Sequence, residues 1–198
     1  MKRMLVTAAM SVLAAAVVAT PALAGDQASG TTTITMQVTG CDGCSITPTQ
    51  GLRLSKNDAT TWVGTPATVS GGRAVMVVPT RRTAGMSFTI DLPKPVQIGA
   101  MPVITTQYKG VSPGSVVTRA QARAATDASA CWSGTSSSEA TLDVRVSRVV
   151  MKKFPGPGLV RVPLAWVVPT LDAPGGFDEA FKGVLGTQEG VGAFCPVR

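Results

Sequence analysis

The chain contains no histidine. Histidine is the side chain most often used as a general base near neutral pH, and it is the commonest protein ligand for transition metals. Its absence excludes a Ser-His-Asp hydrolase and a histidine-based metal centre. The only asparagine, Asn57, is followed by Asp58 and Ala59, so the sequence has no N-glycosylation acceptor. We therefore predict a protein without a metal site or a cofactor.

Charged residues are also scarce, at 15% of the chain, and aromatic residues make up only 5%. The basic pairs Arg81-Arg82 and Lys152-Lys153 are isolated, and no aromatic residues are interleaved with them. This pattern lacks the basic stripe of a nucleic-acid-binding protein, so we predict no nucleic-acid partner. The modest excess of positive charge favours anionic surfaces, such as cell-wall polymers, as partners.

The N-terminus has the pattern of a secretory signal peptide. Lys2 and Arg3 precede an apolar run from residue 4 to residue 18, and Ala22-Leu23-Ala24 provides the small residues that a signal peptidase requires. The apolar run is too short to span a membrane. We predict that residues 1–24 are removed, that the mature protein is secreted or extracellular, and that it has no membrane span.

Removal of the signal would leave residues 25–198, which is 198 − 24 = 174 residues, enough for one domain with a sizeable core. The mature chain would carry a net charge of 16 − 11 = +5, because Lys2 and Arg3 are lost with the signal. Scarce Asn and absent His beside plentiful Ala, Val, Gly, Thr and Arg are typical of a secreted protein from a high-GC bacterium. We predict a single bacterial extracellular domain.

Four cysteines, an even number, follow the signal: Cys41, Cys44, Cys131 and Cys195. In an exported protein this favours two disulfide bonds, for which three connectivities exist. The proximity of the first two cysteines favours Cys41–Cys44, which leaves Cys131–Cys195 to close a long loop. We predict this pairing.

The segment Cys41-Asp42-Gly43-Cys44 also fits a C-x-x-C redox or zinc motif. A redox motif of the thioredoxin type opens a helix, but here both flanks have strand patterns and Asp-Gly is a turn dipeptide. A zinc site needs a second close pair of ligands, and Cys131 and Cys195 are far apart in sequence. A structural disulfide at a strand end is the favoured interpretation, with an exposed and labile disulfide as the alternative.

Most of the mature sequence alternates between apolar and polar residues, the period of a half-buried strand. The clearest runs cover residues 34–38, 86–92, 140–151 and 160–168, and weaker ones cover 46–54, 74–78 and 103–108. Gly and Pro clusters separate these runs, as expected for turns. We predict an all-β protein, an antiparallel β-sandwich, with a β-barrel as the alternative. The predicted architecture resembles that of immunoglobulin-like domains, although Cys131-Trp132 does not have their cysteine and tryptophan spacing.

Two short helices are predicted within this β-rich chain. Thr118-Arg119-Ala120-Gln121 fits a capping box and opens an alanine-rich stretch to about residue 130. Phe177, Phe181 and either Val184 or Leu185 have the spacing of one apolar helix face, which predicts a second short helix that ends at Gly186.

Two sets of residues are candidates for catalysis. Gly110-Val111-Ser112-Pro113-Gly114 fits the G-x-S-x-G nucleophile elbow, but Pro113 has no N–H for an oxyanion hole. The motif is therefore predicted to be a surface turn. Glycoside hydrolysis needs two carboxylates, and Asp172, Asp178 and Glu179 are the nearest to a cluster. Acids that open a helix are also explained by the helix dipole, so this activity is the least favoured function.

Aromatic residues offer a weaker indication of carbohydrate binding. Trp62 lies in a polar stretch and, with Tyr108, is the candidate ligand contact; partial burial of Trp62 at a core edge is the alternative. The sequence favours a secreted, non-catalytic binding or structural module associated with the bacterial cell wall or surface. The alternatives are an inhibitor of an extracellular enzyme, which would make a protein the partner, and the carboxylate-dependent glycoside hydrolase.

Overall fold

A computed structural model describes residues 30–53, 59–93, 100–124, 127–152, 156–172, 181–182, 187–189 and 195. The predicted signal peptide, residues 1–24, lies outside the described residues. Its removal, and the single domain predicted for residues 25–198, therefore stay predictions.

Strands dominate the described residues. One α-helix, α1 (Arg119–Ala124), and one 3-10 helix (Thr80–Arg82) accompany them. The strands are β1 (Thr31–Thr39), β2 (Ser45–Arg53), β3 (Ala59–Val63), β4 (Ala67–Thr68), β5 (Arg73–Pro79), β6 (Met86–Asp91), β7 (Ala100–Pro102), β8 (Ile104–Thr105), β9 (Gln107–Tyr108), β10 (Asp127–Ser129), β11 (Glu139–Lys152), β12 (Leu159–Val167), β13 (Phe181–Lys182) and β14 (Thr187–Glu189).

Two larger sheets form the body of the fold. The first has the strand order β5-β1-β11-β12-β8, and in the second β2 pairs with β3 and β4 on one edge and with β6 on the other. Two small sheets, β13-β10-β9 and β14-β7, accompany them. The sheets do not close into a barrel, and the predicted all-β, sandwich-like fold is confirmed.

The larger sheet is mixed rather than purely antiparallel. Strand β1 runs parallel to β11, and β12 runs parallel to β8, whereas every other pair is antiparallel. Alternation of apolar residues determines which face of a strand is buried, but it carries no information about strand direction. The parallel pairs therefore could not be read from the pattern.

The predicted alternation is visible in the burial of each strand. In β1 the side chains of Ile34, Met36 and Val38 are buried, and the residues between them are exposed or half-buried. These side chains contact Phe88 and Ile90 of the second sheet in the first core, which lies between the two sheets.

From Val162 to Val167, strand β12 is buried on both faces, and the fold therefore has two cores. Ala165 and Val167 belong to the first core, while Leu164 and Trp166 belong to a second core on the opposite face of the same sheet. The indole N–H of Trp166 donates a hydrogen bond of 3.1 Å to the carbonyl of Val117. The continuous apolar sequence of β12 after Arg161 is thus explained, because a strand segment covered on both sides has no face left for polar residues.

Helix α1 begins at the predicted capping box. The Thr118 N–H donates to the Gln121 side chain at 2.9 Å, and the Gln121 N–H donates to the Thr118 hydroxyl at 3.3 Å. The helix ends at Ala124 rather than near residue 130, because residues 127–129 form β10 and pair with β9 and β13.

The second predicted helix, over 177–185, is wrong at Phe181 and Lys182. These two residues form β13, in which Phe181 pairs with Ala128. The pairing of a distant strand thus outweighs the local helical spacing. The rest of that prediction lies outside the described residues.

Candidate functional site

Both predicted disulfide bonds are present, with Cα–Cα distances of 5.8 Å for Cys41–Cys44 and 5.5 Å for Cys131–Cys195. The first bond lies in the turn between β1 and β2, where Gly43 has a positive φ of 75°. Its two cysteines are 8% and 0% exposed, so they contribute to the first core rather than to the surface. The C-x-x-C segment is therefore a buried structural crosslink at a strand end.

Trp62, the first candidate ligand contact, lies half-buried at the edge of the first core. The guanidinium carbon of Arg82 is 5.9 Å from the centroid of its ring. An Arg82 N–H donates to the Gln50 side-chain oxygen at 3.1 Å, and the Gln50 amide donates to the carbonyl of Ala84 at 2.6 Å. Because Arg82 is positioned over the ring, Trp62 does not present a free aromatic platform; the structure places it at the core edge.

Tyr108, the second candidate, is only 4% exposed and packs in the second core. Trp62 and Tyr108 therefore belong to different cores and form no common site. Within the described part of the chain, the hydroxyls of Tyr108 and Thr105 have no partner in hydrogen-bonding geometry. Burial raises the pKa of the Tyr108 phenol well above its ordinary value, and the neighbouring Thr105 hydroxyl opposes this only in part.

Tyr108 is the only tyrosine of the chain, which makes its ionisation directly measurable. Because the pKa of the phenol is raised in the folded protein, the unfolded chain loses this proton at a lower pH than the folded protein does. The stability that the neutral phenol contributes is therefore present below about pH 10 and is lost as the pH rises above it. We expect the free energy of unfolding to fall by about 1.4 kcal/mol per pH unit above about pH 10 from this group. Phenolate absorbance should rise only as the protein unfolds.

The control is Tyr108→Phe, which should show neither the phenolate signal nor this component of the alkaline loss of stability. Phenolate absorbance with a midpoint near pH 10, in protein that circular dichroism shows to be folded, would contradict the burial of this side chain.

The remaining motifs do not form a catalytic site in the described residues. Ser112 is exposed, and its carbonyl accepts hydrogen bonds from Ser115 and Thr170, as in the predicted surface turn. Asp172 is exposed, and its carbonyl accepts the Ser133 N–H at 2.9 Å. Asp178 and Glu179 lie outside the described residues, so the proposed carboxylate group stays a prediction.

An exposed basic surface, which the sequence reasoning missed, lies on the hairpin formed by β11 and β12. We name the four exposed side chains Arg148, Val150, Leu159 and Arg161 the hairpin face. Val150 is 45% exposed and Leu159 is 73% exposed. Among the described residues, the guanidinium group of neither arginine forms an ion pair or a hydrogen bond.

The register explains why these side chains are neighbours. Val150 lies opposite Arg161, and Arg148 lies opposite Pro163, so the two arginines are diagonal neighbours about 7–8 Å apart along the strand pair. On the same face of β11, Leu142, Val144 and Val146 are buried in the first core. After Val146 this face of β11 is therefore no longer covered by the first core, and Arg148 is the first exposed side chain beyond it.

The sequence does contain a signal for this surface. Between Asp143 and Asp172 no acidic residue occurs, whereas five basic residues do: Arg145, Arg148, Lys152, Lys153 and Arg161. The residue that completes the pattern across the sheet, Arg161, comes from β12, so the pair Lys152-Lys153 alone does not indicate this surface.

Comparisons of the chain with protein-family models, with curated proteins and with solved structures find no match. In the described part of the chain, no helix is long and apolar enough to cross a membrane. The same residues contain no group of three or more Cys, Asp or Glu side chains arranged to hold a metal ion. The fold thus defines the protein as a disulfide-containing, sandwich-like β protein, and the hairpin face is its candidate binding surface.

Proposed function

We propose that the protein is a secreted, non-catalytic module that binds an anionic cell-wall polymer through the hairpin face. The observation that carries this proposal is the pair Arg148 and Arg161, which are exposed diagonal neighbours in a segment without an acidic residue between Asp143 and Asp172. Arginine donates paired hydrogen bonds to phosphate and carboxylate groups, which are the charged groups of such polymers. The exposed Val150 and Leu159 provide apolar contacts for the backbone of the polymer between its charges.

The position of the hairpin face supports this function. It lies on paired strands that continue directly from the first core, so its arginines are carried by a rigid element and not by a free loop. A repeating polymer needs only a short basic segment to bind, because each repeat presents the same charge. The net charge of +5 expected for the mature protein would add attraction at longer range.

Co-sedimentation with wall material of the producing cell tests the proposal. We expect retention at low salt and release at about 1 M salt, where the Debye length falls to about 3 Å. The double variant Arg148→Ala/Arg161→Ala should bind about five- to tenfold more weakly at low salt, since each exposed charge pair contributes up to about 1 kcal/mol.

The matched control is Arg81→Ala/Arg145→Ala. It also removes two exposed positive charges, but Arg145 is on the opposite face of β11 and Arg81 is in the 3-10 helix. This variant should be retained almost as well as the natural sequence. If both double variants lose wall binding to the same extent, net charge alone explains the retention and the hairpin face is not the binding surface. If the natural sequence is not retained at either salt concentration, the proposed function is contradicted.

A further inference from the structure

Strand β5 is the outermost strand of the larger sheet at the end opposite β8. Among the described residues, no strand pairs with its outer edge. Val75 and Val77 are 39% and 60% exposed, although valine is a residue that strands usually bury. An exposed edge of this kind presents backbone groups to which another strand can bind.

The hydrogen bonds to β1 determine which backbone groups face outward. The Thr80 N–H donates to the Gly30 carbonyl at 3.0 Å, and the Val38 N–H donates to the Gly72 carbonyl at 2.7 Å. The backbone N–H and C=O groups of the even-numbered residues of β5 are therefore the ones that are hydrogen-bonded to β1. In an antiparallel pair the residues between them direct their N–H and C=O groups to the other side. Val75 and Val77 therefore present both groups at the outer edge.

Both ends of this edge are closed. Arg73 exchanges backbone hydrogen bonds of 2.9 and 3.1 Å with Ser70, and Pro79 has no N–H. The edge therefore offers complete pairs of donors and acceptors at two positions, two residues apart.

We propose that β5 pairs antiparallel with β5 of a second copy of this chain, about a two-fold axis at Met76. In this register Val75 lies opposite the partner's Val77, and Val77 lies opposite the partner's Val75. All four backbone positions then exchange N–H···O=C bonds, which gives four hydrogen bonds. An axis at Val75 would place Arg73 opposite the partner's Val77, but the backbone groups of Arg73 are already hydrogen-bonded to Ser70. An axis at Val77 would place Pro79 opposite the partner's Val75, and Pro79 has no N–H to donate.

The side chains of β5 favour pairing with a second copy of this chain over pairing with a strand of a different protein. Valine meets valine on the outer face at both positions, and such β-branched cross-strand pairs stabilise sheets. Arg73 lies opposite the partner's Pro79, so no like charges meet, and the strand contains no acidic residue. The resulting ten-stranded sheet is a closed, two-fold dimer that cannot extend into a fibre.

Sedimentation analysis of the mature protein tests this dimer. Only four hydrogen bonds and two valine pairs join the two copies, so we expect weak association, and the measurement should extend to about 1 mM protein. We expect the mass to double across this range. Val75→Lys/Val77→Lys places like charges opposite each other and should remain monomeric, whereas Val63→Lys, at a valine 59% exposed in β3, should dimerise like the natural sequence.

A natural sequence that remains monomeric throughout, or a Val75→Lys/Val77→Lys variant that still dimerises, would overturn the proposal. The register has its own test, because opposed Cα atoms about 5.5 Å apart suit a disulfide. Val75→Cys mixed with Val77→Cys should form an intermolecular crosslink. Crosslinks formed as well by either variant alone, or none in the mixture, would overturn the axis at Met76.

Discussion

Replacing Cys131 and Cys195 with alanine is expected to lower the free energy of unfolding by about 4 kcal/mol, because their bond closes a loop with a sequence separation of 64. Both cysteines are at most 3% exposed in the second core, so the bond also anchors residue 195 beside Trp166. For a domain of this size the melting temperature should fall by about 8–16 °C, which thermal denaturation followed by circular dichroism measures.

The matched control is Cys41→Ala/Cys44→Ala. That bond has a sequence separation of only 3, so the same chain-entropy argument gives about 2 kcal/mol. Equal losses for the two pairs would show that loop closure does not determine the contribution of these bonds.

Gly134→Ala is the second substitution with a large expected effect. Gly134 has a φ of +85°, and an added Cβ would lie 2.5 Å from the backbone nitrogen of Ala84 and 2.7 Å from the carbonyl carbon of Thr83. This approach is fixed from both sides, since Gly85 N–H donates to Trp132 at 2.8 Å and Thr135 N–H donates to the Thr83 hydroxyl at 3.0 Å. We expect a loss of about 2–4 kcal/mol, from the left-handed backbone and the forced separation together.

Gly114→Ala separates these two contributions. Gly114 has a similar φ of +81°, but an added Cβ would meet nothing within 4 Å, so only the conformational penalty of about 1–2 kcal/mol remains. Urea denaturation of both variants gives the difference. A loss at Gly134 no larger than at Gly114 would mean that the contact with residues 83–84 can relax freely.

The binding surface shows where sequence reasoning stopped. Aromatic residues that bind sugars are exposed, but Trp62 is half-buried with Arg82 over its ring, and Tyr108 is buried. The hairpin face depends on the pairing of Val150 with Arg161, which is a property of strand register. The segment between Asp143 and Asp172 shows a basic composition, but which of its side chains become neighbours is decided only when the two strands pair in this register.

The dimer edge has the same origin. The alternation in residues 74–78 predicts a strand with one buried face, and Ala74, Met76 and Val78 are indeed buried. That the strand is the last in its sheet, with Val75 and Val77 facing outward, follows only from the strand order.

The sequence by itself determined the longer alternating strands, the capping box at Thr118 and the preferred pairing of the four cysteines. These features depend on side-chain period, on local hydrogen bonds and on proximity along the chain. The tertiary structure decided that β1 runs parallel to β11 and that β12 separates two cores. It also decided that the hairpin face is exposed and that the outer edge of β5 has no paired strand among the described residues. These depend on contacts between residues more than a hundred positions apart, and their relative free energies are not encoded in any single segment.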